Sequence, residues 1–167
     1  MKNLLLALSI LSLWSCSQEL MSLESETLQS RRSGNNYGIV HVADLYAAQN
    51  ILIGSLEVAN YNDQVYVTYK LNGNWSLKKT HLFNGDYGDL PVNNGGNPQI
   101  KHFPIKGIHP NGIQEFTHVC PDVYSSMCYF HASQAEVINS NGQSESACAE
   151  GEPLGGNSWA MGFEKCY

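Results

Sequence analysis

The strongest constraint on the fold is an alternating run in the segment QVYVTYKLNGNWSLKKTHLF. Val65, Val67 and Tyr69 occupy every second position, with more polar residues between them. Successive side chains of a β-strand point to opposite faces, so this period of two predicts a strand with one buried face. The pair Asn72-Gly73 comes next and favours a type I′ turn, after which the alternation resumes. We therefore expect a β-hairpin here.

Three further segments have β character. ILIGSLEVAN predicts a strand that ends in a turn at residues 60–63, and so forms a meander with the first hairpin. CYFHASQAEVI followed by Asn141-Gly142 predicts a second hairpin, and SWAMGFEKCY predicts a terminal strand. No segment shows a long helical period. We therefore expect an all-β, mainly antiparallel single domain, either a sandwich or a barrel-like fold.

Residues 84–112 are dense in glycine, proline and asparagine, which predicts a long loop. A loop of this length in a compact domain is usually functional or ligand-bound. With exposed strand aromatics beside it, the loop could form a surface that stacks on sugar rings. The candidate ligand-binding residues are Trp75, Tyr66, Asp86, Tyr87, Asp89 and His102. The alternative is that the loop covers the sheet, with Leu90, Ile100, Phe103 and Ile105 turned inward, and that the strand aromatics are core or cross-strand packing.

The N-terminal run MKNLLLALSILSLWSC is apolar from Leu4 to Trp14, about half of the roughly 20 residues that a spanning helix needs. Its layout is that of a secretory signal. Leu13, Ser15 and Cys16 resemble a bacterial lipobox, and Trp14 makes the match similar to the looser lipoboxes of Bacteroidota. In that family the peptide is cut before the cysteine, which carries acyl chains such as palmitate. The resemblance implies a signal peptide at residues 1–15 and lipidation of Cys16.

Residues 16–36 are rich in serine, glutamate, glutamine and arginine, so we expect a lipidated cysteine followed by a flexible tether, and a globular domain at 37–167. Ser17 stands where an aspartate would resemble an inner-membrane retention signal. The resemblance therefore implies a lipid anchor in the bacterial outer membrane, with the domain facing the periplasm or the cell surface. Two or three acyl chains are enough to hold a soluble domain stably on a bilayer, since each buried methylene contributes about 0.8 kcal/mol.

A second resemblance covers the chain from Leu45 onward. The order LYAAQN, VYVTY, THLFNGD, GNP, FP and GNSWAMGF, with a cysteine near the end, is similar to a group of uncharacterised secreted and lipid-anchored domains of Bacteroidota. That group has an acidic-Trp-Gly segment where this chain has SACAEG, so Cys148 is a departure. The resemblance implies a β-rich extracytoplasmic domain and no particular activity.

The five cysteines fit an exported protein, because one goes to the lipid and four remain to pair. An oxidising compartment favours disulfides, and the absence of a Cys-x-x-Cys pair disfavours a structural zinc site. Four cysteines allow three connectivities, which the sequence leaves open. The disulfide candidates are Cys120, Cys128, Cys148 and Cys166.

The formal net charge of −6 argues against binding to nucleic acid. A small extracytoplasmic hydrolase or metal-dependent enzyme is one alternative, since several histidines and acidic residues lie near the centre: His81, His102, His109, His118, His131, Asp86, Asp89, Glu115 and Asp122. No paired motif supports it, so we predict no catalytic residues and no metal site. Calcium is the one cofactor left open, on oxygen atoms of Asp86 and Asp89 with Asn84, Asn93 and Asn94.

We therefore favour a non-catalytic surface binding module, for a glycan or for another envelope protein, that is held to the membrane by its lipid. Besides the enzyme, the remaining alternative is a structural outer-membrane lipoprotein.

Overall fold

The computed structural model describes residues 38–121 and 127–167, so the predicted signal peptide, Cys16, the tether and Asp122 lie outside the described residues. The described chain forms ten β-strands: β1 Gly38–Ala47, β2 Ile51–Tyr61, β3 Gln64–Leu71, β4 Trp75–Gly85, β5 Ile105–Ile108, β6 Glu115–Cys120, β7 Cys128–Asn139, β8 Ser144–Ala149, β9 Glu152–Pro153 and β10 Met161–Cys166. Two three-residue 3-10 helices, Tyr87–Asp89 and Ile100–His102, lie between β4 and β5. The predicted all-β class is confirmed.

The strands form one antiparallel sheet that is nearly closed. Their order is β5-β4-β7-β8-β1-β2-β3-β6, with β10 beside β7 and β9. β5 and β6 stand at opposite ends of this order but follow each other in the chain, so the segment between them joins the two ends. Along it the His109 amide donates to the Lys78 carbonyl oxygen (2.9 Å), and the Leu77 amide donates to the Ile113 carbonyl oxygen (2.7 Å). Of the two predicted architectures, the barrel-like one is therefore correct.

The predicted pairing of the first two strands and the second hairpin are confirmed, but the three-strand meander is not, because its second and third strands, β3 and β4, do not pair. β2 pairs with β3, and Asn62 and Asp63 between them have φ angles of 49° and 59°, as a type I′ turn requires. β7 pairs with β8 across a turn in which Gly142 has a φ of 83°. The predicted terminal strand is β10, which pairs with β7.

The prediction of a β-hairpin at Asn72-Gly73 is wrong. The chain turns there, but β3 pairs with β2 and β6, and β4 pairs with β5 and β7. The Leu71 amide instead donates to the Gln114 carbonyl oxygen (2.7 Å), and the Gln114 side chain donates to the carbonyl oxygens of Gly73 (2.9 Å) and Trp75 (3.0 Å). The chain before β6 thus takes the hydrogen bonds that a hairpin would have used.

The inner face of the barrel is the main apolar core. In β3, Val65, Val67 and Tyr69 are fully buried, while Tyr66 and the other residues between them are partly exposed. Tyr66 and Tyr69 therefore point to opposite faces, as the period of two requires. Trp75, at the start of β4, is 8% exposed and packs in the same core.

A second apolar cluster lies on the outer face of β4 and β7. Its buried members are Phe83, Leu90, Phe103, Ala132, Leu154 and Ala160. Leu90 and Phe103 come from residues 86–104, which we call the covering segment. Ile100 packs against this cluster and Ile105 against the main core. The alternative in which the long loop covers the sheet therefore describes these four side chains correctly.

Of the two expected disulfides, the described residues contain one. Cys128 and Cys166 are directly opposite in the β7–β10 ladder and are bonded. Cys120 and Cys148 are buried free thiols, which corrects the prediction for them. Cys120 belongs to the inner core, whereas Cys148 alternates with inward-facing alanines in β8 and so faces outward. The wall of the barrel separates the two thiols, so they do not pair.

Candidate functional site: an outer-wall pocket

A pocket of about 210 Å³ lies on the outer face of the barrel over β4, β7 and β8. Outward-facing strand residues form its floor: His81 from β4, Gln134 and Glu136 from β7, and Ser146 and Cys148 from β8. The ladders pair His81 with Gln134 and Gln134 with Cys148, so these three residues form one row across the three strands. Strand alternation thus gives one face of the same strands to the core and the other to the pocket.

The walls of the pocket come from two irregular segments. The covering segment contributes Ile100 and Lys101, and the chain before β10 contributes Ser158, Trp159 and Ala160. The two segments are tied together, because the Asn157 amide donates to Asn97 Oδ1 at 2.7 Å. The pocket therefore combines an indole ring with an amine, an amide, a carboxylate and hydroxyl groups.

His81 is the floor residue whose ring is incompletely bonded. Its Nδ1 is buried and has no hydrogen-bond partner among the described residues. Burial lowers the pKa of His81, Glu136 acts in the opposite direction, and Lys106 and Lys79 lower it further. The neutral ring can donate or accept a bond at Nδ1. A buried polar atom without a partner costs free energy, and a ligand in the pocket could supply the missing bond.

Glu136, in the floor of the pocket, is paired with Lys79. The Lys79 ammonium donates to Glu136 Oε2 at 2.8 Å and to Oε1 at 3.1 Å. The two side chains are 45% and 40% exposed, and a pair in such surroundings contributes only about 0 to 1 kcal/mol to stability. Its main consequence is to orient the carboxylate.

The ligand-binding residues predicted from the sequence lie in different parts of the structure, and none of them lines the pocket. Trp75 faces inward, so it offers no surface ring, which corrects that candidate. Tyr66 is on the outer face of β3, which pairs with β2 and β6 and not with the strands of the pocket. Tyr87 is 58% exposed and packs edge-on against Phe130, with ring centroids 4.8 Å apart. Asp86, Asp89 and His102 are exposed on the covering segment outside the pocket lining.

Two of the central histidines share one buried hydroxyl inside the barrel. Thr80 Oγ1 lies 2.9 Å from His109 Nε2 and 2.8 Å from His118 Nε2. A hydroxyl has one proton to donate, so one ring accepts it and the other donates to the oxygen. Burial lowers the pKa of His118 to about 4, with His109 adding to the effect, and burial also lowers the pKa of His109. Both rings are neutral structural groups.

His131 is also engaged inside the barrel. The Asn84 amide donates to its Nδ1 at 3.3 Å, so Nε2 carries the proton and donates to the Tyr167 hydroxyl at 2.6 Å. Burial, and secondarily His41, lowers the pKa of His131 to about 4. Burial also raises the pKa of Cys120 to about 12, which makes it a poor nucleophile.

The candidate calcium ligands are not gathered in one place. Asn84 is bonded to His131, whereas Asp86 and Asp89 are exposed beyond the end of β4. Asn93 Oδ1 accepts the amides of Gly95 (2.9 Å) and Asn97 (3.0 Å) within its own turn. Within residues 38–121 and 127–167, no three His, Cys, Asp or Glu side chains form a group that could hold a metal ion.

Fold and pocket together define a small barrel-like β-domain with a mixed polar and aromatic site on its outer wall. Comparison of the chain with protein-family models, with curated proteins and with solved structures finds no match. In the part of the chain that the structure describes, no helix has the length and apolar character to cross a membrane.

Proposed function

We propose that this domain is a non-catalytic binding module of the cell envelope and that its ligand is a carbohydrate held in the outer-wall pocket. The observation that carries the proposal is the position of the Trp159 indole in one pocket with Gln134, Glu136 and Ser146. A sugar ring presents an apolar C–H face and a rim of hydroxyl groups. An aromatic ring suits the first, and amide, carboxylate and hydroxyl groups suit the second.

The size of the pocket supports a small ligand unit. Sites for drug-sized molecules measure roughly 300 to 1,000 Å³, and this pocket measures about 210 Å³. A single sugar ring is of the right order. The pocket lies on the outer wall, so the rest of a longer saccharide can extend into solvent.

The state of the histidines supports binding over hydrolysis. His109, His118 and His131 are bonded inside the barrel, on the face away from the pocket. Only His81, among the histidines considered for catalysis, lines the pocket. Cys148 at its floor is 2% exposed, and burial raises the pKa of its thiol to about 12, so it is protonated near neutral pH.

Glycan-array screening of the full chain, purified in detergent, tests the proposal. Replacing Trp159 by Ala should weaken binding of any hit about two- to tenfold, since an aromatic contact of this kind is worth roughly 0.5 to 1.5 kcal/mol. Tyr87→Ala is the matched control, because Tyr87 is an exposed aromatic outside the pocket lining. No bound glycan, or equal losses in both variants, would refute the assignment.

The cellular half of the proposal is that Cys16 carries the lipid and holds the module at the outer membrane through the tether at 16–36. Its support is the lipobox-like sequence around Cys16. Cells expressing the Cys16→Ser variant should show no labelling with a palmitate analogue, and the protein should leave the membrane fraction. A variant that remains labelled and membrane-bound as strongly as the wild type would show that the anchor lies elsewhere.

A further inference from the structure

The basic residues in the described part of this acidic chain are concentrated around the pocket. The formal net charge is −6, and the described residues contain six lysines and no arginine. Lys101 lines the pocket, and Lys79 and Lys106 both act electrostatically on His81 in its floor. Half of the described lysines therefore surround a single small site. Such a distribution raises the local concentration of anionic ligands.

The carboxylates nearby do not neutralise this charge. Glu136 is the one acidic residue that lines the pocket, and its carboxylate is already paired with Lys79. Among the described residues, no carboxylate lies within salt-bridge distance of Lys101 or Lys106. The Lys106 ammonium instead donates to the Lys101 carbonyl oxygen at 2.7 Å, which holds the two residues side by side.

The floor adds a second polar group that lacks a partner. His81 Nδ1 is buried and unbonded within the described chain, and the ring that carries it lines the pocket. When Nδ1 carries the proton, it can donate to a carboxylate oxygen. Hydrogen bonds to charged groups are the stronger kind, so an anion gains more from this donor than a neutral hydroxyl does.

We propose that the pocket selects an acidic sugar, whose carboxylate is bound by Lys101 and Lys106 while its ring lies against Trp159. This proposal rests on the carbohydrate-binding function argued above and adds the chemical class of the ligand. A carboxylate meets the uncompensated ammonium charges and the His81 donor, and the remaining hydroxyls meet Gln134 and Glu136. The chemistry is that of a uronic acid or another carboxylated sugar unit.

The contribution of the carboxylate to binding can be measured with pairs of saccharides that differ only in that group. Oligogalacturonate and oligoglucuronate are compared with their carboxyl-reduced forms, which have the same ring stereochemistry and a CH₂OH in place of the acid. Calorimetry on the full chain should show the acidic member binding about tenfold tighter or more, with affinity falling as salt rises. A sulfated neutral oligosaccharide distinguishes a carboxylate from a general preference for anions.

Lys101→Gln should remove the preference for the acidic member by weakening its binding more than that of the reduced partner, and Lys101 is exposed, so its loss does not disturb the core. Lys70→Gln is the charge-matched control, since Lys70 lies on β3 and pairs with Glu57 at 2.7 Å. Equal binding of acidic and reduced saccharides, with Trp159→Ala still defective, overturns the inference and leaves the proposed function standing. Stronger binding of the sulfated saccharide overturns the carboxylate assignment. Binding of none of these saccharides also overturns the inference, whereas only an empty glycan array overturns the proposed function.

Discussion

Removing the Cys128–Cys166 disulfide should destabilise the domain by about 4 kcal/mol. The two cysteines are 38 residues apart in sequence, so the bond closes a loop that includes β7, β8, β9 and β10. In the chain-entropy account, a cross-link restricts the unfolded chain more as the loop lengthens, and a loop of this size corresponds to about 4 kcal/mol. Both cysteines are exposed, so Ser replacements bury no new polar group.

The assay is urea unfolding of the Cys128→Ser/Cys166→Ser double variant beside the wild type. With an m-value of about 2 kcal/mol per M, the midpoint should fall by about 2 M. The wild type under reducing conditions should unfold at nearly the same midpoint as the double variant. Alkylation before unfolding should leave Cys120 and Cys148 unmodified, because both thiols are buried and burial raises the pKa of each to about 12.

Two results would refute this reasoning. A midpoint shift below about 0.5 M would show that the cross-link contributes little. An intact mass showing free Cys128 and Cys166 thiols in the oxidised protein would show that the bond does not form.

The remaining predictions concern pH and two glycines. Burial lowers the pKa of His118 and His131 from 6.5 to about 4. Between these two pH values the unfolded chain therefore binds more protons than the folded chain does. The free energy of unfolding should be at its full value above about pH 6.5 and should fall by up to about 3 kcal/mol per ring as the pH approaches 4. Urea midpoints that do not change from pH 7 to 4.5 would contradict this. Gly54→Ala should cost about 3 kcal/mol or more, since its Cβ would lie 1.9 Å from the Lys70 carbonyl oxygen. Gly73→Ala, with φ of 64° and no atom within 4 Å of a Cβ, should cost only about 1 to 2 kcal/mol, and equal thermal shifts for the two variants would count against the steric account.

Local pattern predicts six of the ten described strands, because alternation reports which face of a strand is buried. It misses β1, β5, β6 and β9, and β5 lies within the predicted loop at 84–112. It correctly orients Tyr66 and Tyr69, and it locates β7, β8 and β10. It fails at Asn72-Gly73, because a turn pair specifies that the chain reverses and not which strand pairs with which. β3 pairs instead with β6, some forty residues later in the chain, and no local signal indicates that distant contact.

None of the six predicted ligand-binding residues lines the pocket, although Ile100 and Lys101 of the predicted long loop do. The floor depends on the pairing of β4 with β7 and of β7 with β8, which brings His81, Gln134 and Cys148 into one row. Trp75 could have been excluded as a surface aromatic, because it shares the parity of the apolar Leu77 and both are buried.

The division of β4 and β7 between two faces has a consequence for how this domain could diversify. In β4, Thr80 and Leu82 are fully buried, while His81 between them lines the pocket. In β7, Ala135 and Val137 alternate in the same way with pocket residues. Mutational libraries restricted to the outward positions would therefore change the chemistry of the pocket on an unaltered scaffold. Under the proposed binding function, substitutions at those positions would retune recognition while selection for foldability acts on their neighbours.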